Sequence, residues 1–546
     1  MVRKLSVVAA ILVLFGGNHA AQEADARAAL MAAAKAMGTD NLKTIVYSGA
    51  GVTSQIGQQF NVEGGWPQFQ ITDYTRQIDY DAKWSREDYI RKQGTYPTFG
   101  RVPIADTPVT AVVNGAFAWD IRDNMPIPLT RGYLDGISFN ELRQLELAIT
   151  PHGFLKAALA AKDATAIKVR LVGASDFGLS QFDRNVTIVS FTFLNKYKIN
   201  GHINDQNMVE LVGTWFANPF YGDMDYEMRY TQYQDFGGIR FPMLLHTHQG
   251  DPRLNPAHNY YEYRVTSVKP NAPVTAIPVP DVVRKAVIPP ARVESQLLAP
   301  GVWLMGGQTH NSLLVEFKNY LAVVEAPNNE ARSLAVIAEA YRLVPSKPIQ
   351  YVINTHHHFD HSGGLRTYLS QGTTIVTHEM NKPYYLDILF HPAPRELEPD
   401  RMAKYSPMYW ISRRPAPIEV VSGETRGTAS YGIGDADRFL QVFHVQDMAY
   451  ELGDQSYAQG LHSPDMLMAY LPKERILFNA DLYSPPLAGA PLPAPNAANK
   501  TLMQNIRKLK LDVERHVAVH SARVGTHEEF MRIFAPGART NERTNA

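Results

Sequence analysis

The chain has 546 residues, a length that favours two domains of about 200–250 residues each. Its apolar fraction is 45% and its charged fraction is 19%, which excludes an intrinsically disordered protein. Lys plus Arg and Asp plus Glu both number 53, so the formal net charge is zero. We therefore expect no nucleic-acid partner.

The N-terminus has the order of a cleaved secretory signal. "MVRK" is positively charged, "LSVVAAILVLF" is apolar and too short to span a bilayer, and "GGNHAAQ" offers small residues for cleavage near Ala20 or Ala21. The chain contains no cysteine, which excludes disulfides, thiolate metal ligands and a thiol-linked lipid anchor. We predict a signal peptide at residues 1–21 and an exported, periplasmic protein.

Residues 22–270 are predicted to form an α+β domain with a curved antiparallel sheet. A helix ends at Gly38, and one further helix is expected around residues 139–161. The remaining sequence predicts mostly short strands in which apolar and polar residues alternate. The helix–strand opening, the strand "VNGAFAW" and the hairpin "YQDFGGIRFP" resemble the LolA-like carrier domains of the bacterial envelope. That resemblance implies an apolar or lipid ligand, and a dimerisation or lid domain with a filled core is the alternative.

The second half of the chain has a different pattern. A Pro-rich linker is predicted at residues 271–295, followed by strands that alternate with helices over residues 296–535, as in an α/β domain. Residues 381–435 are predicted to be a long loop insertion whose aromatic side chains could roof an apolar pocket. A polar tail follows at residues 536–546.

The stretch "THHHFDH" is the strongest chemical signal. It follows the buried strand "IQYVINT", so its side chains lie in a loop at a strand end. His356 and His358 can point to one side and His357 away from it, while Asp360 and His361 lie one turn further on. Imidazole and carboxylate are ligands that zinc accepts, with iron and manganese as alternatives. This turn can therefore contribute to two adjacent metal sites.

Further ligand candidates lie beside apolar strands downstream. His462 precedes "MLMAYLP", Asp481 follows "ILF", and His520 ends "HVAV". Because strand ends converge on one edge of an α/β sheet, these side chains can complete the sites, with Asp481 between two metals.

The order HxHxDH, His, Asp, His resembles the metallo-β-lactamase fold superfamily over residues 296–535. The resemblance implies an αββα sandwich with a dinuclear metal site between its two sheets. It further implies that His356, His358 and His462 hold one ion, that Asp360, His361 and His520 hold the other, and that Asp481 bridges them. Two Zn²⁺ ions are the expected cofactor.

Two such ions can share a hydroxide and polarise a substrate oxygen. We predict a hydrolase that acts on an ester, lactone or amide of a small molecule, with Asp360 as proton carrier and Tyr483 near the leaving group. The alternatives are a periplasmic β-lactamase, a mononuclear iron enzyme acting on persulfides, and a non-catalytic lipid carrier with a structural metal. An oligomer is compatible with the sequence.

The other histidines receive smaller roles. His310 is placed near the mouth of the site by the resemblance, with a minor part in substrate binding. His378 is expected to cap or pack on the following helix. Structural or solvated positions are expected for the others: His391, His444, His516 and His527.

Overall fold

The computed structural model describes residues 19–94, 105–133, 136–174, 181–250, 258–390, 395–405, 417–422, 430–446 and 461–535. Almost all of the predicted signal peptide and the whole polar tail lie outside these residues, as does His391. Among the helices of the described residues, none is long and apolar enough to cross a membrane.

The N-terminal region is built on one antiparallel sheet of thirteen strands. The order is β6-β5-β4-β3-β2-β1-β13-β12-β11-β10-β9-β8-β7, so the first and last strands pair in the interior of the sheet. The strands are β1 Thr44–Ser54, β2 Gln68–Asp79, β3 Trp84–Gln93, β4 Thr107–Asn114, β5 Phe117–Arg122, β6 Met125–Pro128, β7 Thr165–Ala174, β8 Gln181–Phe193, β9 Tyr197–Asn204, β10 Val209–Asn218, β11 Gly222–Asp235, β12 Arg240–Gly250 and β13 His258–Pro270.

Three helices, α1 His19–Met37, α2 Phe139–Ala148 and α3 Pro151–Ala160, accompany this sheet. Along β9 and β11 buried residues alternate with more exposed ones, so one face of each strand is turned to the core. The prediction of one helix over residues 139–161 was wrong. Pro151 cannot continue a helix, and the side chain of Thr150 accepts a hydrogen bond from the Gly153 N–H to start a new one.

The C-terminal region contains two sheets. The seven-stranded sheet has the order β14 to β20 and the six-stranded sheet the order β21 to β26. The strands are β14 Glu294–Ala299, β15 Val302–Gly306, β16 Ser312–Glu316, β17 Leu321–Val324, β18 Ile349–Ile353, β19 Thr374–His378, β20 Ile418–Val421, β21 Ser430–Gly434, β22 Phe439–His444, β23 Leu467–Leu471, β24 Ile476–Asn479, β25 Arg515–Ala518 and β26 Gly525–Thr526.

The helices of this region are α4 Asp281–Arg284, α5 Glu330–Leu343, α6 Phe359–Ser362, α7 Leu365–Leu369, α8 Asn381–Tyr384, α9 Arg401–Tyr405, α10 Ala497–Lys508 and α11 His527–Arg532, with a π-helical turn at Tyr385–Leu389.

The two C-terminal sheets pack face to face. Leu313 and Val315 of β16 share a buried cluster with Leu440 and Val442 of β22, whereas Leu314, which points to the other face of β16, lies in the cluster that contains helix α5. This alternation places helices outside a pair of sheets and confirms the predicted two-sheet α/β architecture.

The predicted loop insertion at residues 381–435 is wrong in part. Residues 391–394, 406–416 and 423–429 lie outside the described residues, but the rest includes helices α8 and α9 and the paired strand β20. Tyr385 is buried and donates a hydrogen bond to the side chain of Asn354. Tyr385 therefore packs beneath the histidine-rich turn, whereas Tyr409 and Trp410 of the predicted pocket roof lie outside the described residues.

Candidate metal centre

The histidine-rich turn begins where the parallel strand β18 ends. This strand lies between β17 and β19 and pairs in parallel with both, so its carboxyl end opens at the edge of the sheet. The turn continues into α6, and His356, His358 and His361 are all buried. Burial of three imidazoles in one turn requires partners for their ring nitrogens.

A first group of ligand atoms comes from four side chains. The Nδ1 atom of His358 lies 3.0 Å from Nε2 of His356 and 2.9 Å from Nε2 of His462. The carboxylate of Asp481 completes the group, 2.9 Å from Nε2 of His462. All four ligand atoms lie within 4.8 Å of one another. Three nitrogens and one carboxylate oxygen form a donor set that suits tetrahedral zinc.

A second group lies beside the first. Its members are His310, Asp360, His361 and His520, whose ligand atoms also lie within 4.8 Å of one another. The Nε2 atoms of His361 and His520 are 3.3 Å apart, and Oδ2 of Asp360 is 3.2 Å from Nε2 of His310. These donors fit zinc, iron or manganese.

Asp481 reaches both groups. One carboxylate oxygen lies 3.4 Å from Nε2 of His356 and 3.3 Å from Nε2 of His361, and the other lies 3.0 Å from Nε2 of His520. The structure therefore places all seven predicted ligands together, in the two predicted sets, with Asp481 between them.

His310 is the member that the sequence did not place in a ligand set. Its ring is buried and its centroid lies 4.3 Å from that of His520. Asn311 holds it there, because the Asn311 side chain donates to the carbonyls of Ala518 and Ser521. The stretch "GGQTH", which ends at His310, contains no spacing typical of metal ligands. The one signal in the sequence was that His310 lies just before an apolar strand.

The electrostatics of the two groups favour cations. Burial alone would raise the pKa values of Asp360 and Asp481, but the neighbouring histidines, His361 foremost, hold both well below the ordinary value. Burial lowers the pKa of His356, which favours the neutral ring that can bind a metal. The two ionised carboxylates supply negative charge among the imidazoles, and they also raise the pKa of His361, so an ion bound there would displace a proton.

Buried carboxylates orient the histidines from behind. Glu325 accepts from Nδ1 of His361 at 3.0 Å and from the Thr355 hydroxyl at 2.6 Å, which directs Nε2 of His361 into the second group. Glu325 has a φ of 82°, a strained value for a residue with a side chain. Such supporting contacts set the orientation and tautomer of metal-binding histidines.

His357 lies outside both ligand groups, as predicted. Its backbone N–H and its Nδ1 atom contact the two carboxylate oxygens of buried Asp465 at 2.8 and 2.9 Å. This pair connects the histidine-rich turn to the segment that carries His462. Neither Glu325 nor Asp465 was identified from the sequence, because a single acidic residue carries no spacing pattern.

The N-terminal region completes the surroundings of the turn through the loop of residues 55–59, which follows β1. The carbonyl oxygen of Gln59 faces Nε2 of His358 at 2.8 Å. A carbonyl oxygen can only accept, so Nε2 of His358 carries the proton and Nδ1 is the unprotonated ring nitrogen that faces the first ligand group. Gln58 donates from Nε2 to Oδ1 of Asp360 at 2.6 Å. The phenyl rings of Phe220 and Phe359 stack with centroids 4.2 Å apart beside this loop.

A cavity of about 440 Å³ lies at this junction. Its lining includes His310 and Asp360 on the metal side and Gln58, Tyr133 and Phe220 on the side of the N-terminal sheet. No residue of the range 381–435 that the structure describes lines this cavity. The wall opposite the candidate ligands is thus supplied by the N-terminal region.

Tyr483 has a different position from the predicted ligands. Its buried ring packs against Phe530, with centroids 4.7 Å apart, and against His516. It is not among the residues that line the cavity beside Asp360. The structure gives Tyr483 a packing role, and its role near a leaving group stays a prediction.

The remaining histidines have packing roles. His378 accepts a hydrogen bond from the Met380 N–H, as expected of a residue that caps the following turn. His444 contacts the carbonyl oxygen of Pro464, and His516 lies 3.0 Å from His527.

Comparison with known proteins finds one matching family model and several similar solved structures. Residues 305–520 match the family model of the metallo-beta-lactamase superfamily. A metallo-beta-lactamase from Pontibacter korlensis has 15% identity over 44% of this chain and 98% of its own, with a TM-score of 0.31. The metallo-beta-lactamase FIM-1 from Pseudomonas aeruginosa, in its mono-zinc form, has 18% identity over 44% of this chain and 92% of its own, with a TM-score of 0.30. A metallo-beta-lactamase from Hirschia baltica has 18% identity over 44% of this chain and 96% of its own, with a TM-score of 0.29.

No curated protein matches the chain significantly. The family model and the two ligand groups cover the same part of the molecule, since the match ends at His520. Residues 305–520 are a region of the metallo-beta-lactamase superfamily.

Proposed function

We propose that this protein is a metal-dependent hydrolase that holds two divalent ions, zinc being the expected metal, and cleaves an ester, lactone or amide bond of a small molecule. One observation carries the proposal. Two groups of candidate ligands, most of them histidines, both contact Asp481 and adjoin a cavity that Asp360 and His310 line. A purely structural site is usually closed by four ligands, whereas this one has donors for two ions beside an open cavity.

Two divalent ions in these groups would supply a nucleophile at neutral pH and polarise a substrate oxygen. The protein's own residues then position the substrate and carry protons. Asp360 is the proton carrier, because it combines ligand geometry with a place on the cavity wall. Its Oδ2 atom lies 3.2 Å from Nε2 of His310, so a proton can pass between these two atoms.

The size and lining of the cavity favour a small, partly apolar substrate. A volume of about 440 Å³ is within the range of small-molecule sites. Ile56, Phe220 and Phe359 provide apolar surface, and Gln58 provides a polar group beside Asp360.

We also propose export to the periplasm, on the charge, apolar run and small residues at positions 1–21. Cell fractionation, with mass spectrometry of the mature N-terminus, tests this. A cytoplasmic protein with an intact N-terminus contradicts it.

Metal content measured together with a substrate panel tests the hydrolase proposal. The panel contains lactone, ester, amide, thioester, β-lactam, sulfate ester and phosphodiester substrates. We expect about two zinc ions per chain and hydrolysis of a carbonyl substrate, both lost in Asp360→Ala and His358→Ala and retained in the control His527→Gln. Full hydrolysis by metal-free protein refutes the proposal, and a single iron ion favours the persulfide alternative.

A further inference from the structure

A second cavity, of about 470 Å³, lies within the N-terminal region. It is lined by strands β1 to β5, β12 and β13 and by helix α2. Tyr133 and Phe139 line this cavity and also the one beside Asp360. Their rings meet edge to face with centroids 6.0 Å apart. The two cavities therefore adjoin at this aromatic pair.

One wall of the N-terminal cavity is aromatic. Tyr263 stacks on Tyr74 at a centroid distance of 4.3 Å and on Tyr261 at 4.8 Å. Tyrosine rings of this kind present large, rigid apolar faces. The wall suits an aromatic or short hydrocarbon group.

The other lining residues include charged side chains, most of which are paired. Arg76 lies 3.0 Å from Glu87. Arg143 lies 2.5 Å from Asp120 and also donates to the carbonyl oxygen of Trp119. In each of these pairs the two opposite charges neutralise each other, so neither pair presents a net charge to a ligand.

Arg91 differs from the paired arginines. Its guanidinium lies 5.1 Å from the centroid of the Phe69 ring, and its Nε atom is buried without a hydrogen-bond partner. Among the residues that the structure describes, no carboxylate is paired with it. The other carboxyl of the cavity, Glu146, has a pKa raised to about 7 by burial and by the charge of Glu87, so near neutral pH much of it is uncharged. Arg122 also lines the cavity, but it shares Asp120 with Arg143 and its side chain is 67% exposed. Arg91 is therefore the half-buried lining arginine that, among the described residues, has no carboxylate partner, and partial burial of an unpaired charged group is costly.

We propose that the N-terminal cavity is a substrate subsite that binds one carboxylate through Arg91 and packs the adjoining apolar group against the tyrosine wall. One free guanidinium matches one negative charge, which favours a carboxylate over a phosphate dianion. The proposal rests on the proposed hydrolase function, because the scissile bond of the same substrate would lie in the adjoining cavity. The substrate class is thus a hydrophobic ester, lactone or amide with a free carboxylate.

Binding of 4-phenylbutyrate, compared with the uncharged 4-phenyl-1-butanol, tests the subsite without any reaction. Isothermal titration uses the full chain, both zinc-loaded and after chelation, so that binding to the ions is separated from binding to Arg91. We expect the acid to bind in both states. Arg91→Gln should weaken its binding about tenfold, the effect of one charge-assisted hydrogen bond, and should leave the alcohol unaffected.

The matched control is Arg86→Gln. Arg86 lies on the same strand β3, its partner is Asp88, and it is not among the residues that line the cavity. Equal binding of acid and alcohol to the wild-type protein overturns the proposal. So does a loss in Arg86→Gln as large as that in Arg91→Gln.

Hydrolysis provides the second test. The mono-4-nitrophenyl ester of adipic acid carries a distal carboxylate that 4-nitrophenyl hexanoate lacks. We expect Arg91→Gln to raise KM for the adipate ester about tenfold and to leave the hexanoate ester unchanged. If neither ester nor any other panel substrate is cleaved while the acid still binds through Arg91, the hydrolase proposal fails and the binding site stands. If esters are cleaved without dependence on Arg91, the subsite fails.

Discussion

Removal of the Gln58 side chain should weaken the binding of one metal ion and leave the binding of the other unchanged. Gln58 belongs to the N-terminal region, yet its Nε2 atom lies 2.6 Å from Oδ1 of Asp360. Asp360 belongs to the second ligand group only. Gln58→Ala removes this hydrogen bond. The carboxylate of Asp360 can then rotate, and its other oxygen, Oδ2, is no longer held toward the second ligand group.

The magnitude follows from the kind of bond that is lost. A hydrogen bond to a charged group contributes about 1.5–3 kcal/mol. Gln58 is partly exposed, so the lower end of that range applies, and about 1.5 kcal/mol corresponds to roughly a tenfold change in a dissociation constant. Loss of a side chain that hydrogen-bonds to a metal ligand typically lowers the affinity for the metal about 10–100-fold.

Competition between the protein and a chromophoric zinc chelator measures the two dissociation constants. We expect the dissociation constant of the ion in the second ligand group to rise about tenfold in Gln58→Ala and that of the ion in the first group to stay the same. Cobalt substitution gives a second readout, since its visible spectrum reports each site separately. The matched control is Gln55→Ala, in the same loop, whose backbone N–H still donates to the Pro67 carbonyl.

Two outcomes would refute this reasoning. Unchanged affinity for both ions would mean that Gln58 does not orient Asp360. An equal loss at both sites, or the same loss in Gln55→Ala, would mean that the substitution disturbs the whole loop.

Three further predictions concern stability. Chelation should lower the urea midpoint of the C-terminal region, because ions that bind only the folded chain stabilise it; an unchanged midpoint after metal removal would contradict the metal centre. Asp465→Ala should cost about 3–5 kcal/mol in the free energy of unfolding, because the buried His357 loses both of its contacts with that carboxylate; a loss below about 1 kcal/mol, the level of an ordinary surface contact, would contradict it. Burial lowers the pKa of His152 from 6.5 to about 4, so the unfolded chain takes up a proton below pH 6.5 while the folded chain does not. Stability that is full above that pH should therefore fall by about 2 kcal/mol by pH 5, and the loss should be smaller in His152→Gln, as measured by urea unfolding across this pH range; an identical pH profile for the variant would contradict it.

The grouping of the candidate ligands could be predicted from the sequence because its signal is local. An apolar strand followed by HxHxDH places imidazoles and a carboxylate at a strand end, and His462, Asp481 and His520 each lie beside another apolar strand. Parallel strands bring such ends to one edge, and the structure shows these side chains in two adjoining groups. The strand and helix periods predicted an α/β region, and the two-sheet sandwich was implied by the resemblance to the metallo-β-lactamase superfamily.

Other parts of the site depend on contacts between distant segments. His310 reaches the second group because Asn311 is hydrogen-bonded to the segment around His520, a contact that no local spacing reveals. Glu325 and Asp465 act through histidines of the turn, and an isolated acidic residue has no pattern to identify its partner. None of the described residues of the range 381–435 lines the cavity, and which segment covers a site is decided by packing that the sequence does not reveal.

The sequence by itself determined which side chains can bind metal and which strands present them, because ligand type and strand period are encoded within a few neighbouring residues. The tertiary structure alone decided what surrounds them. Gln59 orients His358 through a backbone carbonyl, which every residue type possesses and no sequence can therefore signal. The same long-range packing of the N-terminal sheet on the histidine-rich turn sets the wall of the cavity beside Asp360. The order of strands within that sheet places Arg91 in the N-terminal cavity that adjoins it.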